Sequence, residues 1–276
     1  MTDNTPASAP EPPGDESQID NSIPNSARIW NYFLGGKHNY PADREAGEQF
    51  LATFPDIAEC ARANRAFQAR AVRYLASQEH VGQYLDIGTG MPAVDATHQV
   101  AQRITPQSRI VYVDNDPVVL LHARAMLTGA PEGTVNYIDA DLRDPESIIR
   151  EAAATLDLAQ PVAVMLLGIL GHIPGDTQAP SIVARLMDSV PSGSYLLVSD
   201  GTNVIRPSAV AAATDDYNDT GASPYQLRSP EQIARFFDGL HLIDPGVVSA
   251  PRWRPDPDPA GLPAEVDQFC GVARKP

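Results

Sequence analysis

Five short apolar segments, the first four of them each followed by a segment with helical periodicity, constrain the fold of this chain more than any other feature. Strands that alternate with helices at this spacing predict an α/β fold with a mostly parallel sheet and helices on both faces. Right-handed crossovers then bring the carboxyl ends of the strands to one edge, where ligands bind. The predicted strands cover 83–87, 109–113, 134–138, 161–167 and 194–199, and the predicted helices about 93–104, 118–127, 146–155 and 178–189.

The alternation loosens beyond residue 200. Residues 202–228 are small and polar, which predicts a mobile connection or a substrate-side insert. Ser229 and Pro230 are typical of the N-cap and first position of a short helix, here reaching Phe237. Two last strands are predicted at 240–243 and 268–273, on either side of a proline-rich loop.

A glycine loop follows the first predicted strand. Gly88, Thr89 and Gly90 come directly before a helix predicted to begin at Ala93, an arrangement that brings backbone N–H groups close to a ligand. The pattern formally satisfies the G-x-G-x-x-A of a dinucleotide site. However, Pro92 lacks an N–H that a pyrophosphate would use, and Asp86 would repel a diphosphate. The loop therefore favours S-adenosylmethionine (SAM), a zwitterion with a sulfonium, over a nicotinamide dinucleotide.

Acidic residues end three successive predicted strands. Asp86 would lie near the ammonium group of the methionine portion of SAM. Asp114, followed by Asn115, is placed to accept hydrogen bonds from ribose hydroxyls. Asp141 would accept from the adenine amino group while the Leu142 N–H approaches a ring nitrogen. Each aspartate alone is compatible with a helix cap or turn, but three at one sheet edge predict a nucleoside site.

The N-terminal third of the chain is predicted to be separate from this core. Residues 1–20 have the Pro, Ser, Asp and Glu content of a disordered tail. Residues 21–80 are predicted to form a helical cap over a core at 81–276. Ser26 is the candidate N-cap of its first helix, and the third helix covers 57–77. Of the arginines in that third helix, either all lie on a solvated face or Arg65 points into the active-site mouth.

The segments LDIGTG, VYVDNDP and IDADLRDP, in that order, resemble the class I SAM-dependent methyltransferases. The segment SARIWNYFLGGKHNY further resembles one bacterial family of S-adenosyl methyltransferases that begins with AR-x-x-x-Y-x-LGGK-x-N. The resemblance implies SAM as cofactor and a Rossmann-like sheet of seven strands in the order 3-2-1-4-5-7-6, with the seventh strand antiparallel. It also implies that the N-terminal helices close over the cofactor as a lid lined by Tyr32, Gly35, Gly36, Lys37 and Asn39. It implies no substrate.

The catalytic chemistry is less constrained by the sequence. His172 follows the fourth strand, where a general base could act on the methyl acceptor, although a loop histidine can equally be structural. Tyr217, Tyr225 and Trp253 either line an aromatic substrate pocket or pack in the protein. The fourth strand lacks an Asn-Pro-Pro-Tyr motif, which argues against amino methylation of bases or glutamine. Alternatives are a SAM-binding protein without methyl-transfer activity and a nicotinamide-dinucleotide enzyme.

The amino-acid composition limits the kinds of partner that this chain can bind. With 35 acidic against 20 basic residues, a formal net charge of −15 argues against nucleic acid or an anionic membrane and favours a small-molecule acceptor. Cys60 and Cys270 match no metal spacing, so no metal is predicted and both are expected to be free buried thiols. Without a signal peptide or membrane-length apolar run, a cytoplasmic location is expected. The sequence does not specify an oligomeric state.

Overall fold

The computed structural model describes residues 20–92, 94–126, 129–259 and 261–276. The predicted disordered tail, apart from Asp20, lies outside the described residues, as do Ala93 and Leu127. Within the described chain, eight strands form one sheet. They are β1 Gln83–Ile87, β2 Arg109–Asp114, β3 Thr134–Asp139, β4 Ala163–Leu167, β5 Tyr195–Gly201, β6 His241–Leu242, β7 Val248–Ser249 and β8 Gln268–Arg274.

The sheet has the order β3-β2-β1-β4-β5-β8-β6, and β7 also pairs with β8. The predicted α/β class and strand order are confirmed, with β8 in the place of the antiparallel seventh strand. The predicted number of seven strands was one too few, because residues 248 and 249 add a short strand beside β8. Strands β1 to β5 pair in parallel, so their carboxyl ends share one edge.

The helices described by the structure lie on both faces of the sheet and at its carboxyl edge. They are α1 Ser26–Phe33, α2 Pro41–Thr53, α3 Ile57–Gln78, α4 Thr97–Ile104, α5 Pro117–Met126, α6 Pro145–Ala152, α7 Gln178–Asp188, α8 Pro207–Asn218 and α9 Pro230–Ala234. None of the helices in the described ranges is long and apolar enough to cross a membrane.

Two local predictions were wrong. The helix after the glycine loop begins at Thr97 rather than 93. The reason is that Asp95 has a positive φ of 57°, which is incompatible with a right-handed helix at that position. The N-cap of α1 is Asn25 rather than Ser26, since the Asn25 side chain accepts from the N–H of Ala27. Residues 202–228, predicted as a mobile connection or a substrate-side insert, include the helix α8, which packs against α2.

Two cores cover the two faces of the sheet. Because side chains alternate along a strand, Leu85 and Ile87 of β1 enter the core beneath α6 and α7, whereas Tyr84 enters the core beneath α3 and α4. Asp86 follows the same alternation and therefore meets α3 and α4. Trp253 is fully buried, with its ring centroid 5.4 Å from that of Phe67, so it packs in the second core. Cys60 and Cys270 are free and buried.

Candidate active site

A cavity opens at the carboxyl edge of the parallel strands, between the sheet and helices α1, α2, α3 and α8. Its empty volume, open solvent included, is about 1310 Å³. A second cavity shares part of this wall and continues past the end of β3. Predicted residues in the first wall are Asp86, Gly88, Thr89, Gly90, Asp114, Asn115 and His172, while Asp141 and Leu142 line the second.

The glycine loop has the tight geometry that its sequence predicts. Gly88 and Gly90 have φ values of +74° and +61°, in the region that favours glycine. A Cβ on Gly88 would lie 2.7 Å from the Ile169 side chain, so only glycine fits beneath the loop after β4. The Gly88 N–H donates to the Val113 carbonyl at 2.8 Å, which holds the loop to β2.

Arg65 of α3 lies against this loop, as the second interpretation of the arginines predicts. Its Nη2 donates to the carbonyl oxygens of Thr89, at 3.3 Å, and Met91, at 3.2 Å. Its Nη1 donates to Gln68 at 3.1 Å. The solvated-face interpretation holds for Arg62, which is exposed, but not for Arg65, because its guanidinium tethers α3 to the glycine loop.

Asp86 is buried below the loop. Its Oδ2 accepts from the Thr97 hydroxyl at 2.6 Å and from Gln68 Nε2 at 3.4 Å. Burial raises the pKa of Asp86 to about 6, against the opposing effects of the Thr97 hydrogen bond and the Arg65 charge. The carboxyl is therefore mostly ionised at pH 7 and responds strongly to a nearby ligand charge.

Asp114, at the end of β2, also binds the glycine loop. Its Oδ2 accepts from the Gly90 N–H at 2.9 Å, and its Oδ1 accepts from the Asp116 N–H at 3.0 Å. Burial raises the pKa of Asp114 to about 6. Both carboxylate oxygens thus fix backbone groups, and the carboxylate forms part of the cavity wall.

Asp116 is a site residue that the sequence prediction missed. Its Oδ1 accepts from the Val118 N–H at 2.7 Å and so caps α5. Its Oδ2 is buried without a hydrogen-bond partner among the described residues, and Asp116 lines both cavities. The segment Asp116-Pro117 has the sequence of an ordinary helix start, so no local signal distinguishes this second oxygen.

Asp141 lies in the second cavity, partly exposed, and is already paired. It accepts from the Arg143 backbone N–H at 2.8 Å and from Asn115 Nδ2 at 3.5 Å. The Arg143 Nη1 lies 3.2 Å from its Oδ2. The Leu142 side chain is buried in the core, so only its backbone can face a ligand.

His172 lines both cavities, beside the loop after β4. Its Nδ1 lies 3.1 Å from the Pro224 carbonyl oxygen, which can only accept, so the neutral ring carries its proton on Nδ1 and its lone pair on Nε2. Burial lowers the pKa of His172, which favours the neutral ring at pH 7. Its ring packs edge-on against Tyr225 at 5.0 Å between centroids.

A buried polar cluster behind His172 was also missed by the sequence prediction. The Tyr225 hydroxyl donates to Asp200, which also forms an ion pair of 3.1 Å with Arg228. Arg228 donates at 2.7 Å to the carbonyl oxygens of Leu170 and Ile173, on either side of His172. Asp200 is far along the chain from Tyr225 and Arg228, and only the packing of the loops reveals that they form one cluster.

The five residues predicted to line the lid are not part of either cavity wall. The Tyr32 ring faces α2, with its hydroxyl 3.4 Å from Glu48, and Lys37 is exposed. Asn39 donates to Asn31 Oδ1 at 3.0 Å and thereby shapes the loop in which Gly35 and Gly36 lie. Because of the helical periodicity, a different face of the N-terminal segment lies against the cavity. The residues of that face are Asn25, Ser26, Ala27, Ile29, Trp30 and Phe33.

The chemistry of the wall fits SAM. Asp86, Asp114 and Asp116 provide buried carboxylates that can accept from hydroxyl and ammonium groups and carry the charge opposite to that of a sulfonium. One carboxylate oxygen, Oδ2 of Asp116, has no hydrogen-bond partner among the described residues. Arg65 is bonded to backbone carbonyls, and the other arginines of the two described walls, Arg28 and Arg143, lie beside carboxylates. A diphosphate would therefore meet acidic groups and no unpaired arginine among the described residues, which disfavours a dinucleotide.

Comparison with known proteins agrees with this chemistry. The model of the family described as S-adenosyl methyltransferase matches residues 13–276. A comparison with curated proteins gives no match.

Solved structures provide two similar chains at high coverage. A DUF574 family protein from Streptomyces avermitilis MA-4680 is 41% identical, with a TM-score of 0.90 over 94% of this chain and 100% of that chain. A candidate methyltransferase from Thermobifida fusca YX is 37% identical, with a TM-score of 0.84 over 92% of this chain and 96% of that chain. A SAM-dependent methyltransferase from Anabaena variabilis ATCC 29413 is 14% identical, with a TM-score of 0.50 over 75% of this chain and 84% of that chain, a likeness of fold alone.

The family match covers nearly the whole chain, the two similar structures align over 94% and 92% of it, and the cavity wall has carboxylates that fit SAM. The chain therefore belongs to the S-adenosyl methyltransferase family and is a SAM-dependent methyltransferase.

Proposed function

We propose that this methyltransferase transfers the methyl group of SAM to a hydroxyl of a small molecule held in the same cavity. The observation that carries the proposal is the extent of that cavity. One wall consists of the strand-edge residues around Asp86 and Asp114, and the opposite wall consists of helices α1, α2 and α8. Helices that cover the cavity on this side leave space for a small acceptor rather than for a folded macromolecule.

The proposed SAM site uses the residues at the strand ends. Asp86 binds the ammonium group, the glycine loop of Gly88, Thr89 and Gly90 approaches the methionine portion, and Asp114 with Asn115 faces the ribose. Asp141 and the Leu142 backbone bind the adenine in the second cavity. The contribution of Tyr32, Gly35, Gly36, Lys37 and Asn39 is proposed to be indirect, through the loop that supports α1.

When bound, SAM supplies a methyl group activated by the positive charge on sulfur. The wall residues align the acceptor with the carbon–sulfur bond, which is the main requirement of an in-line displacement. In the transfer, the acceptor oxygen would bond to the methyl carbon as the carbon–sulfur bond breaks, and the electron pair would leave with sulfur. The acceptor proton passes to Nε2 of His172, which is the proposed base.

Incubation with tritium-labelled SAM and a fractionated bacterial extract tests the proposal. We expect label in the low-molecular-mass fraction, and a rate that falls as the pH falls through the lowered pKa of His172. His172→Ala should reduce the rate by about 10²–10⁴-fold, the usual contribution of a general base. Binding of S-adenosylhomocysteine (SAH), measured by calorimetry, controls for folding.

Label confined to protein or nucleic acid would overturn the small-molecule acceptor. A folded His172→Ala enzyme with an undiminished rate and an unchanged pH profile would remove the base. The cytoplasmic location expected from the sequence remains part of the proposal, and free Cys60 and Cys270 are compatible with a reducing compartment.

A further inference from the structure

We propose that the acceptor is a planar, uncharged aromatic molecule bearing the hydroxyl that is methylated. This inference rests on the proposed function and concerns the half of the cavity away from the strand ends. That half, here called the aromatic chamber, is bounded by six side chains of α1, α2, α8 and the segment between α2 and α3. They are Trp30, Phe33, Phe50, Phe54, Val210 and Tyr217.

The chamber walls are rings that contact one another. The centroids of Phe33 and Phe50 lie 5.7 Å apart, and Trp30 lies 6.2 Å from Phe33. Phe50 is 6.4 Å from both Phe54 and Tyr217. Rings packed in this way form a rigid apolar surface, and aromatic ligands gain both apolar burial and ring contacts on it.

The polar groups at the chamber are already bonded within the protein. The Tyr217 hydroxyl donates to the Ser223 carbonyl at 2.9 Å, and the Tyr225 hydroxyl donates to Asp200. Thr214 donates to the Val210 carbonyl of its own helix at 2.8 Å. These bonds leave the chamber few polar groups to bind a sugar or another strongly hydrated acceptor.

The charges near the chamber disfavour an anionic acceptor. Asp267 in the wall is held by the N–H groups of Ile205, at 2.9 Å, and Arg206, at 2.8 Å. Arg65, the only cation in the described wall of this cavity, donates to backbone carbonyls of the glycine loop. A carboxylate in the chamber would therefore be desolvated without a partner, which is strongly unfavourable.

The chamber leads directly to the proposed base. Tyr225 lines the same cavity, and its ring packs against that of His172 in a T-shaped arrangement. An aromatic acceptor lying against the chamber rings would thus present a hydroxyl on its edge toward His172 and the SAM site. We therefore propose that the aromatic acceptor carries a hydroxyl.

Intrinsic fluorescence can test the chamber because the chain has two tryptophans. Trp30 lines the chamber, whereas Trp253 is fully buried elsewhere and serves as an internal reference. We expect 2-naphthol to quench the fluorescence of the SAH-saturated protein, and Trp30→Phe to abolish most of that quenching while calorimetry still detects binding. Naphthalene-2-carboxylate, which has the same rings with a negative charge, should bind at least tenfold more weakly.

A larger side chain in the aromatic chamber tests the inference by filling the space that the acceptor would occupy. Thr214→Phe should weaken 2-naphthol binding at least tenfold and leave SAH affinity within twofold, because Thr214 lines the chamber half of the cavity. Ala212→Phe, on the exposed face of the same helix, should leave both affinities unchanged. Retained SAH binding shows that Thr214→Phe folds, and Val210→Phe provides a second chamber variant.

Equal or tighter binding of the carboxylate, or 2-naphthol binding that neither chamber variant weakens, would overturn the inference. The methyl-transfer assay keeps the two proposals distinguishable. Transfer to polar or anionic small molecules without 2-naphthol binding would reject the aromatic class and leave the proposed function standing. Naphthol binding with label only in macromolecules would reject the proposed function instead.

Discussion

Asp114 and Asp116 lie two residues apart at the end of β2 and have different hydrogen-bond partners. Asp114 accepts backbone N–H groups with both oxygens, from Gly90 at 2.9 Å and from Asp116 at 3.0 Å. Asp116 uses one oxygen to cap α5 and leaves its buried Oδ2 unpaired among the described residues. An unpaired buried acceptor is costly, so a donor on a bound ligand would relieve that cost.

We therefore expect Asp116→Asn to weaken SAH binding by about 10–100-fold, since a hydrogen bond to a charged group contributes about 1.5–3 kcal/mol. The amide keeps the acceptor for the Val118 N–H and replaces the free acceptor by a donor. Isothermal calorimetry measures the change, and Asp139→Asn at the exposed end of β3 is the control. Equal SAH affinities of Asp116→Asn and the wild type would show that Oδ2 has no ligand.

At the scale of elements, the position of α1 depends on one buried carboxylate of α2. Asp43 is fully buried and accepts from the N–H groups of Asn25 and Tyr40, both at 2.8 Å. Its Oδ2 also lies 3.2 Å from Nε of Arg28 in α1. Because Asn25 lines the cavity, this carboxylate links the packing of α1 on α2 to the shape of the site.

Asp43→Asn should loosen the N-terminal helices without unfolding the sheet. Removing one partner of a buried ion pair typically costs about 3–5 kcal/mol, and here the cost concerns the contact of α1 with α2. We expect faster amide exchange by mass spectrometry across residues 20–56 and weaker SAH binding. Glu45→Gln on the exposed face of α2 is the matched control, and unchanged exchange in Asp43→Asn would refute the link.

For the whole molecule, the buried carboxylates couple pH to both stability and ligand binding. Burial raises the pKa of Asp86 and of Asp114 from 3.8 to about 6. At a pH between the ordinary pKa of 3.8 and the raised pKa of about 6, the folded chain therefore binds more protons than the unfolded chain. Each group therefore lowers the free energy of unfolding as the pH rises from about 4 to 6, whereas a cationic ligand favours the ionised carboxylate.

SAH affinity of the wild type should consequently fall about tenfold between pH 7 and pH 5 for each ionised carboxylate that binding requires. Asp86→Asn should bind more weakly at pH 7 and have a smaller pH slope. In thermal unfolding without ligand, the stability of the wild type relative to Asp86→Asn should increase as the pH falls. Comparing the two proteins cancels buried histidines such as His98, whose lowered pKa has the opposite effect. If the wild type and Asp86→Asn had identical pH slopes for SAH affinity and for stability, the role assigned to the Asp86 carboxylate would be contradicted.

Local features of the sequence were sufficient for the five parallel strands and the glycine loop. Alternating apolar segments define the strands, and the parallel order follows from helices between them. Gly88 and Gly90 are predictable because positive φ is a property of the single residue. The start of α4 was misplaced because the turn at Asp95 is a positive-φ conformation of a residue other than glycine, which no local pattern indicates.

By itself, the sequence determined the fold class, the cofactor and the carboxylates at the strand ends, since each depends on neighbours along the chain. The tertiary structure alone decided which side chains are paired, which face of α1 meets the cavity, and where the aromatic chamber lies. Arg65 could be solvated or buried until α3 packed on the glycine loop. Likewise, Phe50 and Tyr217 become neighbours only when α2 packs on α8, because burial and hydrogen bonding across distant segments are properties of the packed molecule.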